Sequence, residues 1–371
     1  MERALLVEVK TYGFLHVGIE PLRKEVLKRT WPHLAGNTLY GVLQAALIRM
    51  DGLNNGRSQV MLDSLCTGEE LRFMPLLPDN NSTIVDGRSY CKQAERIARL
   101  ATGTITPSIY DAGYQTTPHA PLNRRNEQIH GSMLYAVECH QPEQLYHGWI
   151  FCQENLIQMI EQGLTMLPFL PLGGKGKFTV AEARIQRNDS TVQLRDRLAD
   201  SIRTEVDANQ DKHNGIDIEM VTPLVLQNND MALMQQADRW YPKSLRRYRV
   251  WRTGIYPDIT NSKGGRNFYK KGRKLHADDP TTGQAEHQPS DSPPSDNWHE
   301  HVVGRTSQAV PALADGSKFG FAKDKVDLLA DAFIKGIGRT DWASLGWGQH
   351  FFCTPSETAS GGTSNLRGEH G

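Results

Sequence analysis

Apolar residues recur along the chain at two spacings, one typical of strands and one typical of amphipathic helices. Residues 4–9 predict a first strand, and residues 131–138 and 146–151 predict two further strands. Apolar positions at helical spacing predict two helices in this half, around Leu39, Val42, Leu43, Ala46 and Leu47, and around Leu156, Ile157, Ile160 and Leu164. The predicted order is strand, helix, strands, helix, glycine-rich loop, strand. This order is typical of a ferredoxin-like or RRM-like unit.

A glycine-rich loop connects the second predicted helix to the last strand of this half. Its central residues are Gly173, Gly174, Lys175, Gly176 and Lys177. Glycine permits positive φ and a close approach of the backbone to a ligand, and successive N–H groups in such a turn can form an anion-binding concavity. We interpret the loop as a phosphate-contacting segment that leads into a strand; the alternative is a tight hairpin with solvated lysines. The loop fits neither a P-loop nor a dinucleotide-binding fingerprint, because no helix follows it.

The start of the first helix, at Gly36 and Asn37, is a second candidate phosphate site. Asn37 or Thr38 is a suitable N-cap, and a basic segment at 23–29 precedes the helix. The N–H groups at a helix N-terminus attract anions, so a phosphate could dock there. The alternative is a core helix with an ordinary cap.

The second half repeats the ending of the first. A strand at 218–226 is predicted to open this half, and a helix near 326–334 is followed by a glycine-rich segment at 336–352. In that segment Gly346, Trp347 and Gly348 are candidate phosphate contacts, like the residues of the first glycine-rich loop.

We therefore predict an α+β protein with two ferredoxin-like or RRM-like domains that carry irregular insertions. The first domain is predicted at residues 1–190 and the second at 215–353. The second domain would contain a basic insertion at 239–276 and a mobile loop at 277–298, and residues 354–371 are expected to be a disordered tail.

The basic insertion at 239–276 contains a single acidic residue, Asp258. Aromatic residues, among them Tyr248 and Trp251, lie between the basic ones. Lys and Arg neutralise phosphates and aromatic rings stack on unpaired bases, so the composition favours a single-stranded nucleic acid over a merely solvated charged face. The candidate RNA-binding residues of this insertion are Arg246, Arg247, Arg249, Lys270 and Lys271.

The composition of the whole chain limits the classes of function. At 371 residues, the length suggests two domains, and the 42 basic and 42 acidic residues cancel, so any nucleic-acid contact depends on local clusters. The five cysteines are scattered, which predicts neither a zinc ribbon nor a disulfide framework and suits a reducing cytoplasm. No segment approaches the length of a membrane span, and no signal peptide is expected. We predict a cytoplasmic protein with no cofactor, no metal and no membrane partner.

Two histidines near the first helix, His16 and His33, are the candidate catalytic groups. They could act as general base and acid in a metal-independent cleavage of RNA by its 2′-hydroxyl. The alternative, a structural or surface histidine, is favoured, so no catalytic residue is assigned and the chain is not expected to be an enzyme. His299 and His301 form a His-x-His pair for which no partner metal ligands are evident.

The order of these segments resembles the RAMP superfamily of CRISPR-associated proteins. His33-Leu-Ala stands where isoleucine and proline are commoner in the family's helix start. Arg124 and Arg125, which precede two of the predicted strands, resemble the family's middle region and are expected to bind RNA. The similar segments are residues 14–18, 33–41, 131–138, 147–150, 172–180, 310–321 and 345–348.

The resemblance implies a Cas-five-like subunit, of the type III-D kind or a close relative, in a CRISPR effector ribonucleoprotein of antiviral defence. Such a subunit caps the 5′ handle of the guide RNA (crRNA) and contacts the first backbone RAMP subunit. Other effector subunits are further partners, and target RNA or DNA is contacted indirectly, because base pairing supplies target specificity. Two alternatives remain open: a guide-processing endoribonuclease of the same superfamily, and a backbone subunit repeated along the guide.

Overall fold

The structure, a computed structural model, describes residues 1–18, 27–51, 56–67, 69–79, 84–101, 114–119, 135–174, 177–208, 215–225, 235–243, 245–257 and 301–353. The strands are β1 (Arg3–Thr11), β2 (Leu27–Lys28), β3 (Leu71–Phe73), β4 (Leu77–Pro78), β5 (Tyr114–His119), β6 (Tyr135–His140), β7 (Leu145–Cys152), β8 (Leu172–Gly174), β9 (Lys177–Thr179), β10 (Ala181–Ser190), β11 (Ile216–Met220), β12 (Arg239–Tyr241), β13 (Leu245–Pro257), β14 (His301–Leu313), β15 (Lys318–Phe321) and β16 (His350–Cys353). The α-helices are α1 (Gly36–Asp51), α2 (Arg57–Thr67), α3 (Gly87–Ala101), α4 (Ile157–Thr165), α5 (Thr191–Ala208), α6 (Val326–Lys335) and α7 (Thr340–Ala343). Helices and antiparallel sheets alternate along the chain, so the predicted α+β class is confirmed.

The first sheet is built from β1, β3, β7 and β10. Its strands lie in the order β10-β1-β7-β3, every neighbouring pair is antiparallel, and β4 adds a second short pairing with β7. Helix α1 connects β1 towards β3, and α4 connects β7 to the hairpin before β10. Numbered by chain order, the four main strands therefore have the spatial order 4-1-3-2.

Strand β1 is buried on both faces, which explains its almost continuous apolar sequence. Leu5, Val7 and Val9 belong to a hydrophobic cluster that also contains residues of α1 and α4. Ala4 and Leu6 point the other way, because side chains alternate along a strand, and belong to a second cluster with residues of α3 and α5. The first sheet therefore lies between two layers of helix.

The second sheet has the same arrangement. Its strands lie in the order β12-β15-β11-β16, again with every neighbouring pair antiparallel. Numbered by chain order, β11 is first, β12 second, β15 third and β16 fourth. Read from β16 to β12, the spatial order is therefore again 4-1-3-2. Helix α6 connects the third strand towards the fourth, as α4 does in the first half. Part of the connection between β11 and β12, residues 226–234, lies outside the described residues.

Three smaller β-elements complete the described chain. Strands β13 and β14 form a long two-stranded ribbon inserted between β12 and β15, with thirteen paired positions from Leu245↔Leu313 to Pro257↔His301. Strands β8 and β9 form a short hairpin, and β2, β6 and β5 form a small sheet.

The two halves share their hydrophobic clusters. Trp342, Leu345 and Trp347 of the second half pack in the cluster of α1 and α4. Phe319 and Phe333 of the second half pack in the cluster that contains residues of α3 and α5. The second half therefore contributes buried side chains to both hydrophobic clusters of the first half.

Within the part of the chain that the structure describes, no helix is both long and apolar enough to cross a bilayer. Among the same residues, no group of three or more His, Cys, Asp and Glu side chains is arranged to hold a metal ion.

The two halves approach each other closely at Gly36, the first residue of α1. A Cβ atom at this position would lie 2.5 Å from the carbonyl oxygen of Phe73 and 2.7 Å from that of Leu345. Backbone atoms cannot move aside cheaply, so we expect Gly36→Ala to lower the free energy of unfolding by about 1–3 kcal/mol. Urea denaturation at neutral pH measures this change.

The matched control lies one and a half turns along the same helix. A Cβ at Gly41 would meet no atom within 4 Å. Alanine is favoured over glycine in a helix interior, so Gly41→Ala should raise stability by roughly 0.5–1 kcal/mol. Equal effects of the two substitutions would contradict the close packing at Gly36.

Candidate nucleic-acid interface

The first glycine-rich loop forms the β8–β9 hairpin, with Gly173 paired to Phe178 and Gly174 paired to Lys177. Gly173 has a φ of +113°, a conformation that favours glycine. Lys175 and Gly176, at the tip, lie outside the described residues. The segment therefore forms a hairpin, and RNA contact by Gly173, Gly174, Lys175, Gly176 and Lys177 stays a prediction.

The hairpin is attached to the end of β1. The Gly13 N–H donates to the Thr179 hydroxyl oxygen at 2.6 Å, and the Tyr12 N–H donates to the Val180 carbonyl at 3.2 Å. Leu172 is fully buried in the core at the base of the hairpin. These contacts therefore fix the base of the hairpin next to the edge of the first sheet.

The N-terminus of α1 is enclosed by protein. Gly36 is buried between two backbone carbonyls, as described above, and the Thr38 N–H already donates to the Ala35 carbonyl at 2.9 Å. Carbonyl oxygens carry partial negative charge, which disfavours a phosphate at Gly36. Asn37 is half-buried. The helix start therefore serves the packing of the two halves, and phosphate binding there stays a prediction.

The second glycine-rich segment is also buried. Gly346 and Gly348 have φ values of +86° and +67°, and Trp347 is buried between them. The Gly348 N–H donates to the Pro223 carbonyl at 3.0 Å, and the Thr222 hydroxyl donates to the Gly346 carbonyl at 3.0 Å. The segment is thus a tight internal turn, and RNA contact by Gly346, Trp347 and Gly348 stays a prediction.

The two candidate catalytic histidines are both buried. His16 Nδ1 lies 2.8 Å from the Glu138 carbonyl oxygen. His33 packs against Trp31 with ring centroids 5.4 Å apart. Burial, together with the nearby His140, lowers the pKa of His33 to about 3, so its imidazole is neutral at pH 7. Neither ring offers a substrate an accessible nitrogen in this arrangement, and catalysis stays an untested hypothesis.

The outer face of the second sheet carries ion pairs. Asp217 and Glu219 on β11 pair with Arg239 of β12 and Lys318 of β15, each at 2.9 Å. The Arg239 guanidinium lies over Gly320, where a Cβ would be 2.5 Å from its Nε atom. RRM domains bind RNA through aromatic residues on the central strands of the sheet, whereas this face has charged pairs in those positions. The alternation Ile-Asp-Ile-Glu-Met in β11 is the sequence signal for this face, which our sequence reasoning did not use.

The ribbon carries three of the predicted basic residues, Arg246, Arg247 and Arg249. In the backbone register, Arg246 pairs with Ala312, Arg247 with Pro311 and Arg249 with Ala309. The side chain of Arg246 is exposed. Four further predicted RNA-binding residues lie outside the described residues: Arg124, Arg125, Lys270 and Lys271.

The base of the ribbon is anchored by Tyr248, which is buried. Its ring stacks on Trp31 at a centroid distance of 6.3 Å and meets Trp347 edge-on at 5.6 Å. Burial, with Asp315 nearby, raises the pKa of Tyr248 well above its usual range. Tyr248 was one of the aromatic residues expected to lie among RNA contacts; the structure instead uses it to hold the ribbon between the two halves.

Comparisons with known proteins give structural likeness only. No family model matches the chain, and no curated protein matches it. A chain of the type III-B Cmr-beta complex bound to cognate target RNA and AMPPnP aligns with a TM-score of 0.39 at 9% identity, covering 92% of this chain and 94% of that chain. A chain of the Csm3-Csm4 subcomplex of the type III-A CRISPR-Cas interference complex gives 0.36 at 10% identity, covering 86% and 92%. At TM-scores this low the likeness carries no argument, so the function is argued from this chain's own residues and topology.

Proposed function

We propose that this chain is an RNA-binding structural subunit of a CRISPR effector ribonucleoprotein, with two ferredoxin-like halves of the RAMP kind. The observation that carries the proposal is the repeated strand order. Both sheets have the antiparallel order 4-1-3-2. In each half a helix (α4 or α6) is followed by a glycine-rich turn and an edge strand. This strand order, with a helix between the third and fourth strands of each half, is that of a β-α-β-β-α-β unit.

The RNA contact of the proposed subunit is the stretch from β12 through the first part of β13. Residues 239–252 contain six Lys or Arg residues and no Asp or Glu. A chain of zero net charge can bind a polyanion only where its positive charge is concentrated, and this stretch meets that condition. Arg246, Arg247 and Arg249 lie close together along one extended strand of the ribbon, which concentrates their positive charge.

The proposed position in the complex is the 5′ end of the guide. A Cas-five-like subunit, of the type III-D kind or a close relative, would grip the repeat-derived handle and seat the first backbone subunit. The shared core of the two halves supports a single rigid body in this role. One copy per complex is expected of a cap, whereas a backbone subunit would be present in several copies.

Filter binding tests the handle assignment. The full chain should bind a guide RNA with its 5′ handle more tightly than the same guide without it, at one fixed salt concentration, because affinity for RNA depends on salt. The Arg246→Ser/Arg247→Ser/Arg249→Ser variant should bind both RNAs more weakly and with a shallower dependence on salt. Equal affinity of the unmodified chain for the two RNAs would contradict handle capping while leaving RNA binding intact.

The enzyme alternative is weakened by the burial of His16 and His33. We expect precursor RNA incubated with the pure protein in EDTA to remain full-length on a denaturing gel. A cleavage product that disappears in His16→Ala or His33→Ala would contradict the proposal and restore the endoribonuclease.

A further inference from the structure

An exposed aromatic patch surrounds β12, at one edge of the second sheet. Trp240 is 40% exposed and Tyr241 is 39% exposed, and Leu245, at the start of the ribbon, is 66% exposed. Successive side chains of a strand point to opposite faces, so Trp240 and Tyr241 flank the edge of the sheet from both sides. None of these three residues belongs to the predicted RNA-binding set.

The patch is held in place by the core beneath it. The Trp240 ring meets Phe319, which is fully buried, edge-to-face at a centroid distance of 5.3 Å and an interplanar angle of 87°. After the strand, the Lys243 N–H donates to the Ser317 hydroxyl oxygen at 3.0 Å, which fixes the turn that leaves the edge. The Trp240 ring is therefore presented in a defined orientation, with little conformational entropy left to lose on binding. Tyr241 follows it on the same strand.

Exposed cations lie beside the patch. Lys243 and Arg246 are both exposed within a few residues of the aromatic pair, and Asp238 is the exposed acid that precedes them. The acids Asp217 and Glu219 on the neighbouring strand are already paired with Arg239 and Lys318. An apolar surface of this kind would suit a protein partner, but the exposed cations are complementary to phosphate. Exposed rings beside exposed cations are the combination that binds unpaired nucleotides, because the rings stack on bases and the cations neutralise phosphates.

We infer that the edge of the second sheet at β12 is a base-stacking surface for single-stranded RNA, with Trp240 and Tyr241 stacking on unpaired bases and Lys243 and Arg246 contacting phosphates. This inference rests on the proposed RNA-binding function and names the nucleotides that function would take: unpaired ones, because the bases of a duplex are already stacked. It also places base stacking at this edge of the sheet and not on the central strands, which carry ion pairs.

The test compares two short single-stranded ligands with the same number of phosphates, an ordinary RNA and an abasic one. The full chain should bind the ordinary RNA more tightly. Trp240→Ala should weaken binding of the ordinary RNA roughly tenfold and leave binding of the abasic ligand unchanged, because only stacking is lost. Trp240→Phe keeps an aromatic face and should retain most of the affinity. Quenching of tryptophan fluorescence by the ordinary RNA should fall in Trp240→Phe.

Two controls separate stacking from general damage. Phe169, on the first half, is 68% exposed, and Phe169→Ala should bind both ligands as the unmodified chain does. Tyr241→Ala removes the second ring without touching the contact to Phe319, so a selective loss of affinity for the ordinary RNA in this variant supports the inference even if Trp240→Ala folds poorly.

Three outcomes would overturn the inference, and they differ in whether the proposed RNA-binding function would still hold. Unchanged RNA affinity in Trp240→Ala and Tyr241→Ala would remove the stacking surface and leave the proposed RNA-binding function. Failure of the unmodified chain to bind either ligand would remove both. Unchanged RNA affinity with an altered oligomeric state in gel filtration would assign the patch to a protein partner instead.

Discussion

Replacing Arg72 by methionine should lower the free energy of unfolding by about 3–5 kcal/mol, measured by urea denaturation at neutral pH. Arg72 lies on β3 of the first half and is completely buried. Its guanidinium donates to the carbonyls of Ala343, at 3.1 Å, and Phe333, at 2.8 Å. It also donates to the Ile334 carbonyl and to the Gln349 side-chain oxygen. All four acceptors belong to the second half.

None of the four acceptors of Arg72 is an acidic side chain, so neutral oxygen atoms compensate its charge. Phe333 and Ile334 lie in the last turn of α6, where the helix dipole presents partial negative charge. Burial lowers the pKa of Arg72 to about 9, with a smaller opposing effect of Tyr90, so the group remains charged at pH 7. Removing the guanidinium leaves buried carbonyls without their donor, and this accounts for the large expected loss.

Two variants calibrate the Arg72 prediction. Arg72→Lys keeps the charge but loses the planar fork, so its cost should be intermediate. Arg99 is more than half exposed and pairs with Glu95 one helical turn away, so Arg99→Met should cost only a few tenths of a kcal/mol. A loss below about 1 kcal/mol in Arg72→Met would contradict the role of this residue as the link between the halves.

Lowering the pH from 6 to 5 should reduce stability by about 3–4 kcal/mol. Three buried histidines carry this effect. Burial is the main cause that lowers their pKa values: to about 3 for His33, about 4 for His140 and about 3 for His350. A neighbouring ionisable group lowers each pKa further. This neighbour is His140 for His33, His16 for His140 and Arg72 for His350.

The sign of the pH effect follows from where the protons bind. The unfolded chain protonates its histidines near pH 6.5, whereas the folded chain does so only near pH 3–4. Stability is therefore complete only well above pH 6.5 and falls as the pH drops towards the folded-state values, by about 1.2 kcal/mol per histidine between pH 6 and pH 5. Most unpaired carboxylates titrate below this window.

Urea midpoints at pH 6 and pH 5 measure the effect. His33→Phe keeps a ring against Trp31 and removes one proton site, so its loss of stability over this pH range should be about two-thirds of that of the unmodified chain. A loss that does not change in His33→Phe would show that other groups carry the pH dependence.

The elements predicted in the first half occur in the structure in the predicted order, because they depend on local periodicity, although α2, α3 and several short strands lie between them. The alternation near residues 4–9 corresponds to β1, and the apolar spacing around Leu39 and around Leu156 corresponds to α1 and α4. The predicted strand at 218–226 corresponds to the shorter β11. Helices α2 and α5 were not predicted; in α5 the apolar residues that pack are spaced among many charged ones.

The candidate site was harder to predict than the fold. The glycine-rich segments form turns in the structure, but glycine permits a close approach to any partner, and the sequence does not say whether that partner is a phosphate or another part of the protein. At Gly36, Gly346 and Gly348 the structure supplies a protein partner. Tyr248 and Trp240 are aromatic residues of one basic stretch, yet one is buried and the other is exposed.

Periodicity, helix and turn residues and local charge are properties of short segments, so the order of strands and helices, the glycine turns and the basic stretch can be read from the amino acids alone. Burial depends on contacts between segments far apart in the chain. Arg72 meets acceptors more than 260 residues away, and His33 owes its low pKa to neighbours that β6 and the loop before α1 bring around it. Such pairings arise only when the two halves share a core, and they determined which aromatic and basic residues remain exposed.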